Sequence, residues 1–152
     1  MAFETLKFDL TLSGTYWNKK PEYSIWLDDD EIERKVISTF SDELFTVSFS
    51  KKIEETSHQL KIRLENKGSR DTEILEDGSI GRDMLLNVEN IVIDDIDIGN
   101  LKWTISKYVT DKPVDVDGET TNELESCINL GWNGSYIIDF ECPYYLWLLE
   151  NL

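Results

Sequence analysis

Alternation of apolar and polar residues with a period of two is the feature that most constrains how this chain folds. Phe8, Leu10 and Leu12 alternate with charged or hydroxyl-bearing residues. The same pattern recurs at 23–27, 45–49, 60–64, 91–98, 103–105, 128–130 and 136–140. It is typical of strands with one buried face. The sequence therefore predicts an all-β fold, a two-sheet antiparallel β-sandwich that resembles a jelly roll.

Helical periodicity does not extend over three turns anywhere in the sequence. The stretch DDEIERKVIST has the length of a short helix, but its β-branched Val36, Ile37 and Thr39 favour a strand. Residues 106–126 show no clear alternation, and we interpret them as a long irregular connection. With 152 residues and no repeat or linker, the chain is expected to form a single domain over residues 1–152.

The formal net charge of −16, from 31 acidic and 15 basic residues, excludes several classes of partner. Such a field repels phosphate backbones and anionic lipid surfaces, so we expect no nucleic-acid partner. The apolar run YYLWLL at 144–149 is too short to cross a bilayer, so no membrane insertion is expected. The opening MAFETLKFDLTL lacks the basic and apolar regions of a signal peptide, which predicts cytoplasmic synthesis.

Nucleophilic catalysis is disfavoured because His58 is the only imidazole. Its neighbour Ser57 would point to the opposite face of a strand, and we expect His58 at the surface. Cys127 and Cys142 are too few to complete a tetrahedral zinc site with one histidine, and we interpret them as reduced, buried thiols. The alternative is a disulfide between them, if their strands are adjacent. The many carboxylates leave a carboxylate-pair glycoside hydrolase as a less favoured alternative to a non-enzyme.

The segment of residues 66–86, NKGSRDTEILEDGSIGRDMLL, is here called the acidic loop. Its five carboxylates are spaced around three glycines between two predicted strands. A connection of this length with no structure of its own is uncommon in a compact domain. It needs either a function or an interaction, such as a bound metal ion, that holds it in place. Oxygen ligands on a loop suit Ca²⁺. The alternative is that Arg70 and Arg82 pair with these acids in a solvated connection.

A second acidic stretch, DKPVDVDGETTNE, has the superficial form of an EF-hand loop. Aligning Gly118 with the loop glycine places Pro113 at the first ligand position and Leu124 at the twelfth. Both ligands are then missing, so an EF-hand is excluded and a simple turn is predicted.

Aromatic residues in two predicted turns form the second candidate site. Tyr16 and Trp17 stand beside Asn18, and Trp132 lies between glycines beside Asn133. A sugar-binding surface needs a flat apolar ring with hydrogen-bonding groups at its rim, and both turns supply these groups. The alternative is that the tryptophans close the ends of the sandwich core.

The segment RLENKGSRDTEILEDGSIGRDMLLNVENIVIDDIDI resembles calcium-dependent, xylan-type carbohydrate-binding modules. In these modules a strand ending in Asn leads through an Asp-bearing loop to an Asp-Arg-Asn-Leu-like strand start and a V-x-x-I-x-I-x-G segment. The positions that match here are Asn66, Asp71, Asp83, Leu85, Val88, Ile91, Ile93 and Asp95. The opening SGTYWNKKPEYSIWLDDDEI is similar to the start of the same modules, so the resemblance covers roughly residues 6–100.

The sequence departs from this family at identifiable positions. Arg82 precedes Asp83 and Met84 follows it, where the family has Arg-Asn after the aspartate. The triplet Asp28-Asp29-Asp30 stands where an Asp-Gly hairpin is expected. The C-terminal CPYYLWLLENL has no counterpart in these modules.

The resemblance implies a jelly-roll-like sandwich and a Ca²⁺ that helps to bind sugar hydroxyls. We predict Asp71, Asp77 and Asp83 as the metal ligands. We predict Trp17 and Trp132 as stacking platforms, supported by Tyr16, Asn18 and Asn133.

An acidic sandwich without a secretion signal also resembles small structural proteins of tailed bacteriophages, in which such domains decorate a capsid or tail. We therefore predict a non-catalytic, virion-associated binding module whose partners are surface glycans, other virion proteins or both. The alternative is a purely structural assembly protein that docks on a partner or on another copy of itself. In that case the docking residues are Tyr144, Tyr145, Trp147, Leu148 and Leu149.

Overall fold

The computed structural model describes residues 2–99 and 101–151, which form two antiparallel β-sheets around a shared apolar core. The strands are β1 (Phe3–Thr15), β2 (Glu22–Leu27), β3 (Asp30–Val36), β4 (Phe45–Glu54), β5 (Ser57–Leu64), β6 (Leu85–Ile93), β7 (Ile96–Asp97), β8 (Ser106–Val116), β9 (Glu119–Glu125), β10 (Asn129–Leu130) and β11 (Gly134–Glu141). One helix, α1 (Tyr144–Asn151), and two 3₁₀ turns, Ser69–Asp71 and Leu101–Trp103, complete the described elements.

The two sheets are open and every strand pair is antiparallel. The first sheet has the order β10-β6-β1-β4, with β7 added beside β6. The second sheet has the order β3-β2-β5-β11-β8-β9. The predicted all-β sandwich is therefore confirmed. The stretch 30–36 is the strand β3, as its β-branched residues indicated.

Every second residue along β1 and β5 points into the core. On β1, Leu6, Phe8, Leu10 and Leu12 are buried while the residues between them are not. On β5 the alternation from residue 58 to 64 is equally regular. Burial of these side chains, each contributing about 1.5–3 kcal/mol, is the main term that holds the sheets together.

The segment 106–126 is a β-hairpin and not the predicted irregular connection. β8 and β9 pair from Lys107↔Glu125 to Val116↔Glu119. Asp117 and Gly118 form the turn with φ of 50° and 84°, as a tight hairpin requires, so the predicted turn is confirmed. The sequence pattern did not predict this hairpin because β9 has no fully buried residue. Its sequence therefore shows no alternation of apolar and polar residues.

The C-terminal residues form α1, which the sequence pattern did not predict. Eight residues span little more than two turns, too few for a clear period of 3.6. The helix packs on β11 through Tyr144 and Trp147, whose ring centroids lie 6.2 Å and 6.3 Å from that of Phe140. Trp103, expected in a strand, instead ends a 3₁₀ turn.

The two cysteine thiols are free in the structure. Cys142 is buried beside the start of α1, as predicted, whereas Cys127, which was also predicted to be buried, is only half-buried before β10. No helix in residues 2–99 and 101–151 has both the length and the apolar character needed to cross a membrane.

Replacing Gly134 by alanine is expected to destabilise the protein. A Cβ there would lie 2.4 Å from the Val109 carbonyl oxygen and 2.7 Å from the Thr110 Cα, both backbone atoms of β8. We expect urea denaturation to show a loss of about 1–3 kcal/mol in unfolding free energy. Gly131→Ala is the matched control, because the nearest atom to its Cβ is Leu85 Cδ2 at 3.4 Å. Equal losses in both variants would contradict this expectation.

Candidate functional site

Three connections meet at one end of the sandwich because their strands are antiparallel neighbours. Leu64, at the end of β5, pairs with Gly134 at the start of β11 and with Tyr23 on β2. At the corresponding end of the first sheet, Thr15 of β1 pairs with Leu85 of β6. The segment after β1, the acidic loop and the turn before β11 therefore lie together.

A groove of about 390 Å³ opens between the acidic loop, β8 and the turn before β11. We call it the Trp132 groove, after its aromatic residue. Its lining residues are Lys67, Gly68, Ser69, Thr72, Asp111, Lys112, Val114, Gly131, Trp132 and Asn133. The groove thus combines one large aromatic surface with a rim of hydroxyl, ammonium, carboxylate and amide groups.

Trp132 is presented by a backbone that is fixed on both sides. Its N–H donates to the Tyr108 hydroxyl at 2.9 Å, and that hydroxyl donates to the Trp132 carbonyl oxygen. Tyr108 is itself fully buried, so the turn is anchored to the core. The Trp132 side chain remains 37% exposed, which leaves ring surface for a ligand.

Asn133 locks the turn to the acidic loop. Its Oδ1 accepts from the Lys67 N–H at 2.7 Å, and its Nδ2 donates to the Lys67 carbonyl oxygen at 2.9 Å. Asn66 makes a similar link, accepting from the Glu22 N–H and donating to the Lys20 carbonyl oxygen. Asn133 thus joins two walls of the groove, and Asn66 joins the start of the acidic loop to the start of β2.

The other predicted aromatic turn lies outside the Trp132 groove. The Trp17 indole N–H donates to the Asp71 carbonyl oxygen at 3.0 Å, and the Arg82 guanidinium lies 4.2 Å from the centre of its ring. The Tyr16 hydroxyl donates to the Thr39 carbonyl oxygen at 2.8 Å. One face of Trp17 is therefore already covered by a cation, and Trp132 alone of the two tryptophans faces the groove.

Asp71, a predicted metal ligand, is almost fully buried and bonded to groups of the protein. Its carboxylate accepts from Gly68 N–H at 2.8 Å and from Asn18 Nδ2 at 2.9 Å. It also pairs with the Lys19 ammonium at 3.0 Å. Burial by itself raises the pKa of Asp71, but these donors outweigh burial and hold that pKa below its usual value.

Asp83 has its own set of protein donors. Its Oδ1 lies 2.7 Å from the Lys67 ammonium and accepts from Thr72 Oγ1 at 2.7 Å and from Met84 N–H at 2.8 Å. Burial by itself raises the pKa of Asp83. The Lys67 ammonium and these hydrogen bonds lower that pKa by more than burial raises it, so the net shift is downward. Asp77 lies in an exposed turn, where it accepts from the Ser79 N–H at 2.9 Å.

The acidic loop forms a small hairpin of its own. Glu73 and Arg82 are joined by backbone hydrogen bonding, with Glu73 N–H donating to the Arg82 carbonyl oxygen at 2.7 Å, and by an ion pair of 2.7 Å. Ile74 and Ile80 form a β-bridge nearer the tip. Pairing of the acids with Arg82, the alternative to a metal site, is therefore present for Glu73.

The residues present do not fit the predicted Ca²⁺ site. Ca²⁺ takes about six to eight oxygen ligands, several of them from carboxylates. Within residues 2–99 and 101–151 no group of three or more Asp, Glu, His or Cys side chains is placed to hold a metal ion. Asp71 and Asp83 are instead ion-paired with Lys19 and Lys67.

His58 is buried at the opposite end of the sandwich, which corrects the expectation of a surface residue. Its Nδ1 lies 2.7 Å from Asp28 Oδ2 and its Nε2 lies 2.6 Å from the Glu54 carbonyl oxygen. Burial opposes protonation, but these two acceptors outweigh it and raise the pKa of His58. Both ring nitrogens therefore lie within hydrogen-bond distance of protein oxygen atoms.

The described carboxyl groups with a shifted pKa share one direction of shift. Among the described residues, the Asp and Glu side chains with a shifted pKa all shift downward: Asp71, Glu73, Asp77, Asp83 and Asp97.

The predicted docking residues divide between core and surface. Tyr144, Trp147 and Leu148 are buried in the sandwich, whereas Tyr145 is 51% and Leu149 is 69% exposed. The first three have a core role, so a partner surface on α1 would use its outward-facing residues.

The sequence did not single out three groove residues. Asp111 and Lys112 lie in the β8 segment that the sequence analysis interpreted as irregular. No sequence pattern therefore indicated that these two residues line a groove. Lys67 was visible only as one cation among several. Its contacts depend on the turn at 131–133, which is distant in sequence.

Comparison with known proteins identifies the fold. No family model matches this sequence, and no curated protein sequence matches it either. Two solved structures are similar. The first is vCBM60 in complex with galactobiose, with a TM-score of 0.53 and 11% identity, covering 87% of this chain and 96% of that chain.

The second is the selenomethionine form of vCBM60, from a structure that links two families of calcium-dependent carbohydrate-binding modules by circular permutation. Its TM-score is 0.59 at 10% identity, and the match covers 88% of this chain and 89% of that chain. The resemblance to calcium-dependent carbohydrate-binding modules is thus confirmed as a likeness of fold.

Asp83→Asn is expected to weaken the dependence of stability on acidic pH. The pKa of Asp83 is lower in the fold than its unfolded value of about 3.9, so its stabilisation is complete above the unfolded value. It is lost as the pH falls through the folded pKa, and the wild type should lose stability below about pH 4. Urea denaturation at neutral pH and at about pH 3 should show a smaller loss in the variant.

The exposed Asp29 provides the control for this comparison. Asp29→Asn should leave the acid-dependent loss of unfolding free energy unchanged. A loss reduced equally by Asp29→Asn and Asp83→Asn would show that general charge, not the paired Asp83, determines the pH dependence.

Proposed function

We propose that this protein is a non-catalytic glycan-binding module whose ligand binds in the Trp132 groove. The observation that carries the proposal is an exposed tryptophan held on a fixed turn at the wall of a polar-rimmed groove. Its volume of about 390 Å³ falls within the range of about 300–1,000 Å³ typical of small-ligand sites.

The groups of the groove match the two kinds of surface that a sugar ring presents. The apolar C–H face of a pyranose can stack on the Trp132 indole. The ring hydroxyls can be bonded by the Asp111 carboxylate and by the hydroxyls of Ser69 and Thr72. Asp111 is oriented by Arg63, whose guanidinium lies 2.9 Å and 3.1 Å from its two oxygens.

The shared fold supports the same assignment and suggests the first probes. One similar structure, vCBM60, was solved with galactobiose bound. Galactose-containing oligosaccharides are therefore the first ligands to test on this chain.

Trp132→Ala is expected to weaken glycan binding by at least about tenfold, because truncation removes the stacking surface at the centre of the site. Binding is measured on a glycan array and then by calorimetry with the best-retained oligosaccharide. Trp103→Ala is the matched control, since Trp103 is 43% exposed, similar to Trp132 at 37%, and does not line the groove. Equal losses in the two variants would contradict the proposed site.

Trp17→Ala separates the two predicted stacking platforms. Because the Arg82 guanidinium covers one face of Trp17, we expect a smaller loss of affinity than for Trp132→Ala. A larger loss would place the ligand on the acidic-loop side of the site.

A second candidate function is assembly through the outer face of α1. Tyr145, Leu146 and Leu149 are 51%, 60% and 69% exposed, which leaves apolar surface on a short helix. In this proposal the face docks on a virion protein or on another copy of the chain. Association with a bacteriophage capsid or tail stays a prediction, to be tested by mass spectrometry of purified particles.

Leu149→Lys tests assembly without disturbing the core. Deleting all of α1 would be uninformative, because Tyr144, Trp147 and Leu148 are buried and their loss would also disturb the core. We expect light scattering to show a smaller assembly for Leu149→Lys than for the wild type. A monomer in both cases would contradict self-association, and Glu150→Lys is the charge control on the same helix.

A further inference from the structure

We propose that the Lys67 ammonium is a built-in cation that joins the walls of the Trp132 groove, so that this module keeps its shape and binds its ligand without Ca²⁺. The structural half of this inference stands independently of the proposed function. The half concerning ligand binding rests on that function.

The Lys67 side chain connects the two ends of the acidic loop to the turn before β11. Its Nζ lies 2.7 Å from Asp83 Oδ1, at the end of the acidic loop, and 2.6 Å from the carbonyl oxygen of Gly131, in the turn before β11. Asp83 Oδ1 also accepts from Thr72 Oγ1, another groove residue. A carboxylate, a backbone carbonyl and a hydroxyl are ligands that a hard metal ion would use, and here an ammonium lies among them.

The location of this ammonium makes a second cation unfavourable. The Lys67 side chain is 11% exposed, and that of Asp83 is 21% exposed, so their charges interact in a partly desolvated environment. Lys19 neutralises the neighbouring Asp71 in the same way at 3.0 Å. A divalent ion would have to displace a lysine and leave its ammonium partly buried without a partner, which is costly.

Lys67 is also placed to contact a ligand. An ammonium has three donors, and within the described residues two of its hydrogen bonds go to Asp83 and Gly131. Lys67 lines the groove, so the third donor can bond a sugar hydroxyl. One residue therefore fixes the walls of the site and supplies a charged donor inside it.

The first experiment uses the unmodified protein and needs no glycan. Thermal unfolding is followed after chelation, with Ca²⁺ or with Mg²⁺ at equal concentration. The Mg²⁺ arm corrects for the general screening of a chain whose net charge is −16. We expect the same Tm with both ions. A rise in Tm specific to Ca²⁺ would overturn the inference, because a metal bound to the folded state must stabilise it.

The second experiment removes the ammonium. Lys67→Met keeps the length of the side chain, and we expect a Tm lower by about 5 °C or more because Asp83 and Gly131 lose their partner. Lys112→Met is the matched control, since Lys112 lines the same groove and makes no ion pair within the described residues. An equal and small change in both variants would contradict a linking role for Lys67.

An electrostatic role is distinguished from a packing role by titrating Asp83. In the Lys67→Met variant, NMR should show a higher pKa for the Asp83 carboxyl group than in the wild type, because the neighbouring positive charge is removed. An unchanged Asp83 titration would show that Lys67 contributes packing only and would overturn the inference.

The ligand half is tested by glycan binding of the wild type in chelator and in Ca²⁺, with equal affinity expected. Binding that needs Ca²⁺ would overturn it. If the wild type binds no glycan under either condition, the proposed function fails, while the Tm and titration results still decide the role of Lys67.

Discussion

The antiparallel pairing of β5 with β11 is the constraint on which the Trp132 groove depends. Leu64 pairs with Gly134, so the acidic loop leaves one strand where the Trp132 turn enters the other. The close approach of the β8 backbone to Gly134 then places Asp111 and Lys112 on the remaining wall. The groove follows from strand register, and a shift of one residue would reverse the faces of β11 and dismantle it.

Negative charges near the Trp132 groove are paired with cations, although the chain as a whole has a large excess of negative charge. The chain carries a net charge of −16, yet its two buried or partly buried loop aspartates are each paired with a lysine. Burying an unpaired carboxylate is costly, so each pair offsets the desolvation of its aspartate. Because the cations are covalently part of the chain, they stand beside these aspartates at any concentration of a metal in solution.

The departures of the structure from the sequence-based expectations have physical causes. Strands with one buried face were predictable because burial selects apolar residues at every second position, as on β1 and β5. β9 was not predicted because it lies at the edge of its sheet and has no fully buried residue. Trp17 and Trp132 are alike in sequence context. Only the fold places Arg82 over one of them and leaves the other beside a groove.

The sequence by itself determined the class of fold, the turn at Asp117-Gly118 and the location of Trp132 in a loop. These depend on local periodicity and on backbone conformations that particular residues favour. The tertiary structure alone decided what the charged residues do. Lys67 reaches Gly131, and Asp71 reaches Lys19, across dozens of positions in the chain. Such partners are chosen by strand register and burial, and no local pattern records which charge will meet which.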